Sequence, residues 1–91
     1  MIKLDDCYDL AVEISGKTAR LAIYENSVEK VCRKTTLKSL FEFMQSDENH
    51  LFKGRLQLFK NLEEITVLVK GEPVGEIKAE TLLNCLRTDH L

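Results

Sequence analysis

Cysteine, charge of one sign and long apolar runs are all scarce in this chain. The cysteines are Cys7, Cys32 and Cys85, three among 91 residues. An odd number with no close pair gives neither a disulfide framework nor a zinc-ligand spacing, and free thiols suit a reducing compartment. The charges nearly cancel, 13 basic against 15 acidic, for a net −2. The chain is therefore no polycation, and a nucleic-acid role would need a basic patch segregated on one face. No stretch approaches the roughly 20 apolar residues of a membrane span. The opening "MIKLDDCYDL" carries acids where a signal peptide needs a basic and then an apolar segment. A cytoplasmic protein with no membrane partner is expected. His50 falls in a polar linker and His90 in the C-terminal tail. Neither has a second ligand or base at a useful spacing, and metal or catalytic chemistry needs convergent partners. No metal, cofactor, catalytic residue or enzymatic activity is expected. Asp5, Asp6 and Asp9 are an acidic run of the kind that ordinarily forms a solvated terminus.

What is present is strong patterning in a chain of 44% apolar residues, long enough for one small domain over 1–91. Leu10, Val12 and Ile14 alternate with Ala11, Glu13 and Ser15; after Gly16, Ala19, Leu21 and Ile23 alternate with Thr18, Arg20, Ala22 and Tyr24. Period two marks half-buried strands. Glu25-Asn26-Ser27 is a turn, and Val28 to Lys34 is a third, less regular strand. The period then changes. Leu37, Leu40, Phe41 and Met44 form the stripe of an amphipathic helix, with Thr35 or Thr36 as N-cap. "SDENH", 46–50, is a linker.

The order then repeats. Leu56 and Leu58 open a strand, Ile65, Val67 and Val69 a second, and Val74 to Ile77 a third beyond a Gly71-Glu72-Pro73 turn. Leu82, Leu83, Cys85 and Leu86 mark a second helix that ends near Arg87, with a frayed tail beyond. At an offset of 46, Ala19, Leu21 and Ile23 fall on Ile65, Val67 and Val69. The pattern predicts two β-β-β-α units, 8–46 and 51–87, each too small to fold alone. Joined, they predict an α+β domain: a single antiparallel sheet of about six strands with two helices packed on one face.

Gly16-Lys17-Thr18 ends like a phosphate-binding loop, but the position five before Gly16 is Ala11. Such a loop also lies between a strand and a helix, whereas strand pattern continues on both sides here. A hairpin turn is predicted instead, with Gly16 supplying the positive φ.

The outward set of these strands is the one feature above background. It includes Arg20, Tyr24, Lys53, Arg55, Phe59 and Lys70, with Gln57 and Leu68 beside them. Cations that track phosphates and rings that stack on bases can hold a single nucleic-acid strand. These six are the candidate site for single-stranded DNA or RNA. The alternative on the same residues is a protein interface, as in a small accessory or inhibitor protein of a mobile element, or a homodimer.

The plan of two strand-rich units, each closed by a helix, resembles in outline the single-strand-binding Whirly and Pur-alpha proteins. Their repeats carry four strands before the helix where three are read here, and the lysine-rich Whirly signature is absent. The resemblance implies a sheet that holds single strands, and no residue is carried over from it.

Overall fold

A computed structural model describes residues 2–88. The chain is α+β, but it forms two antiparallel sheets of four strands and not one sheet of six. The first sheet runs in the order β1 (Ile2–Lys3), β2 (Tyr8–Ser15), β3 (Thr18–Glu25), β4 (Val28–Thr36), and helix α1 (Leu37–Gln45) follows. The second runs β5 (His50–Leu51), β6 (Leu56–Asn61), β7 (Glu64–Val69), β8 (Glu72–Lys78), followed by α2 (Ala79–Thr88). Each half therefore has four strands before its helix rather than three. The two added strands, β1 and β5, are two residues long. A run that short carries no period, and both lie in polar surroundings.

The hairpins follow local chemistry. Ser15 pairs with Thr18 across Gly16, whose φ is +61°, so Gly-Lys-Thr is a turn. Asn26 and Ser27 both take left-handed φ between β3 and β4, as two-residue hairpin loops require. In the second half the turn falls at Lys70-Gly71, and Glu72 and Pro73 already belong to β8. Each last strand carries a register shift near its start. Ile23 pairs with Val31 and Tyr24 with Glu29; likewise Val67 pairs with Gly75 and Leu68 with Pro73. These bulges add twist to each sheet.

One core joins both halves. The aligned triads Ala19, Leu21, Ile23 and Ile65, Val67, Val69 are all buried in it. Leu37, Leu40 and Phe43 come from α1, and Leu82 and Leu86 from α2. Phe43 takes the innermost position that the sequence pattern gives to Phe41, which is only partly buried, as is Met44. Thr36 is the N-cap, its hydroxyl accepting from the Ser39 amide.

The helices do not share one face of one sheet, because each reaches the other half. α2 lies against β8 and also against β2. Lys60 of β6 donates Nζ to the carbonyls of Phe43 and Ser46, which end α1, and its ammonium stands 5.0 Å from the Phe43 ring centroid. The sheets also meet directly. Gly75 of β8, with φ +155°, lies so close to Leu4 that a Cβ there would stand 2.6 Å from that of Leu4. The pattern of either half alone contains nothing of this crossing.

Candidate nucleic-acid interface

The six residues taken from the sequence as one face are divided between two sheets. Arg20 and Tyr24 lie on β3 of the first sheet, and Phe59 on β6 of the second. Arg55 precedes β6, Lys70 sits in the β7–β8 turn where its amide bonds the Arg55 carbonyl at 2.7 Å, and Lys53 is in the loop after β5. The division follows from the two-sheet fold, since residues on separate sheets need not face the same way.

On the first sheet the charges are consumed internally. Arg20 Nη1 donates to Glu13 at 2.8 Å, and Nη2 donates to Glu29. Tyr24 hydroxyl also donates to Glu29, at 3.3 Å. Glu29 stands opposite Tyr24, two outward positions along the strand from Arg20. To reach it, the Arg20 side chain must cross the Ala22–Cys32 pair. That explains why Ala22, outward by alternation, is as buried as the core. The hydrogen bond with Glu29 raises the Arg20 pKa, and the same bond holds the Glu29 carboxyl below its ordinary range. Arg20 itself therefore offers little free positive charge.

The free charge lies elsewhere. A notch of about 350 Å³ opens between β4 and the β5 end of the second sheet, lined by Arg33, Lys34, Thr35, Ser39, His50, Leu51, Phe52 and Lys53. None of these eight is an acid. The described side-chain ion pairs are Arg20 with Glu13 and Glu29, Lys30 with Glu25, and Lys38 with Glu42. The three cations of the notch belong to none of them. Arg33, opposite Leu21, and Lys34, opposite Arg20, leave β4 on opposite faces, so the strand edge at the hollow is basic on both sides, an arrangement that an anion relieves.

The loop chemistry shapes this notch. Phe52 takes φ +71°, uncommon for a bulky residue and a form of strain concentrated at functional sites. The conformation carries its ring to Arg33, whose guanidinium carbon lies 5.1 Å from the ring centroid. Arg33 Nη1 also donates to the Lys53 carbonyl at 3.4 Å. Beside the notch, His50 stacks on Phe59 with centroids 4.3 Å apart and planes 9° from parallel. The Gln57 carboxamide joins them: its Oε1 is 2.9 Å from His50 Nε2, and its Nε2 donates to the Gly54 carbonyl at 3.0 Å.

The sequence-derived site thus contributes Lys53 and Phe59 to this constellation. Arg33, Lys34, His50 and Phe52 were missed. "HLFKGR" does carry a signal, aromatics interleaved with bases, but it lies where a linker was read. Lys70 lies instead at a mixed hollow with Lys30, Glu25 and Glu72.

Other candidates resolve into structure. Asp5 Oδ1 accepts from the amides of Cys7 and Tyr8 at 2.7 and 2.8 Å, forming the β1–β2 turn. Among the described residues no group of three or more His, Cys, Asp or Glu could hold a metal ion, and no helix is long and apolar enough to cross a membrane. His90 lies outside the described residues, as does the tail beyond Thr88. Compared with protein-family models, curated proteins and solved structures, the chain matches none.

Proposed function

We propose that the protein is a small non-enzymatic module that binds single-stranded DNA or RNA at the notch and along the adjoining face of the second sheet. The supporting observation is the uncompensated Arg33, Lys34 and Lys53 cluster beside Phe52 and the His50–Phe59 stack. Cations of this kind contact phosphates, and the exposed His50 ring beside the half-buried Phe52 and Phe59 offers a face on which a base of any sequence stacks. A cytoplasmic setting accords with the free cysteines.

Fluorescence anisotropy with a labelled oligonucleotide tests the proposal. The double change Lys34→Glu and Lys53→Glu should weaken binding at least about tenfold and flatten its salt dependence, because phosphate contacts release counterions. Arg20→Ala should leave affinity unchanged, its charge being tied to Glu13 and Glu29. No binding by the unaltered protein at low salt would overturn the proposal.

One observation favours a protein partner or a homodimer instead. Leu62, at the β6–β7 turn, is 92% exposed and has φ +57°, a position where glycine or asparagine is usual. An apolar knob kept there is suited to a protein contact. Sedimentation showing a dimer that Leu62→Asn dissociates would favour that class.

A further inference from the structure

We propose that His50 couples strand binding to proton uptake, so that the affinity of the notch for a phosphodiester strand rises as the pH falls. The inference rests on the nucleic-acid reading of the notch and adds a regulating residue to it.

The protonation geometry of His50 is set by its neighbours. The Gly54 carbonyl can only accept, so the Gln57 amide must turn its NH₂ toward it. That leaves the amide oxygen facing His50 Nε2. An amide oxygen also only accepts, so Nε2 carries the hydrogen of the neutral ring. The second proton must therefore enter at Nδ1. Imidazole is the side chain whose ordinary titration falls between about pH 5 and pH 8. Once charged, the ring is a cation stacked on Phe59, and its bond to Gln57 becomes charge-assisted.

Arg33 and Lys34 from β4 and Lys53 from the loop line the same notch, and Ser39 from α1 adds only a hydroxyl. Glu42 and Glu48 line a neighbouring hollow, on the far side of Ser39 and Leu51. A phosphate bound among the three cations favours a positive charge on the neighbouring ring. By linkage, whatever makes the bound strand favour the proton makes the proton favour the bound strand by the same factor.

The test is anisotropy with labelled oligothymidylate, whose bases do not titrate in this window, at constant ionic strength. Between about pH 8 and about pH 5.5 the affinity should tighten about three- to tenfold. His50→Phe keeps an aromatic stack but cannot take the proton, so the tightening due to His50 should be lost and only the part due to other groups, Glu76 among them, should remain. Glu76, on the same sheet, titrates in both proteins and so does not account for the difference. Calorimetry in two buffers of different ionisation enthalpy should show proton uptake on binding that His50→Phe abolishes. Binding whose strength is flat with pH, or a pH dependence that is equally large in His50→Phe, would overturn the role of His50 and leave the nucleic-acid reading standing. Absence of binding at both pH values would overturn both.

Discussion

The two halves bury the same pattern and differ on the outside. On the first sheet Arg20 is clamped between Glu13 and Glu29, and Tyr24 shares the second carboxylate. On the second, the corresponding layer holds Gln57, Phe59, Thr66, Leu68 and Glu76, beside a notch whose lining cations, two of them from β4, have no acid. The two faces thus differ less in the number of cations than in whether each has a partner. A surface with its charges paired has little left to offer a ligand, whereas an unpaired cluster is destabilising until something binds it.

Both halves share one core, and the largest effect is expected there. Phe43→Ala removes a ring that is 2% exposed and should cost about 3–5 kcal/mol in urea unfolding. It should also loosen both halves at once, since Lys60 of the second sheet packs on that ring. Phe41→Ala should cost clearly less. Equal costs would mean that α1 presents its other side. Two separate unfolding transitions would mean that the halves are independent units.

The junction between the sheets comes next. In register, Gly75 stands where Val31 stands in the first half, each paired just before the bulge. Val31 has room to be a core residue, but at Gly75 the backbone of Leu4 occupies the space. Gly75→Ala must accommodate both that contact and a φ open only to glycine, and should cost about 3 kcal/mol or more. Gly16 has nothing within 4 Å of an added Cβ, so Gly16→Ala should cost only about 1–2 kcal/mol, from its left-handed backbone. Thermal melts of the two variants give the comparison directly, and similar losses would remove the close approach of the sheets from the account.

The sequence made the hairpins, both helices and the aligned buried triads legible because each is written in local period. What it left out is what period cannot carry. β1 and β5 are too short to alternate, and without them three strands per unit invite a single joined sheet. Phe41 and Phe43 both lie near the apolar stripe of α1, and only the position of the second half decides which ring goes deepest. Of the outward set, Arg20, Tyr24, Gln57, Phe59 and Leu68 lie on strands, whereas Lys53, Arg55 and Lys70 lie in loops and a turn. Pairing, however, depends on which strands are neighbours: Arg20 finds Glu29 only across the β3–β4 register, and Arg33 meets Phe52 only across the gap between sheets. The notch was illegible for that reason, although both "RK" at 33–34 and "HLFK" at 50–53 were in view.

The smallest expected effect is also the sharpest test of the difference between the faces, because its sign inverts. Glu29 on β4 is held below its ordinary range, first by the hydrogen bond from Arg20. Glu76 on β8 is pushed above it, first by a hydrogen bond with Glu64 and then by that neighbour's charge. A carboxyl whose pKa is lower in the folded state stabilises the fold above its unfolded value and loses that contribution as the pH falls through the folded value. A carboxyl whose pKa is higher in the folded state does the reverse: it weakens the fold at neutral pH, and the penalty fades as the pH falls through its folded value and the proton binds. Glu29→Gln should therefore lower the melting temperature at pH 7, and Glu76→Gln should raise it. Both differences should shrink on acidification, that of Glu76→Gln beginning above the usual glutamate range and that of Glu29→Gln persisting below it. Melting temperatures of the three proteins across the acid range read this out. Shifts of the same sign at pH 7 would mean that the two faces are not paired and unpaired in the way that distinguishes them here.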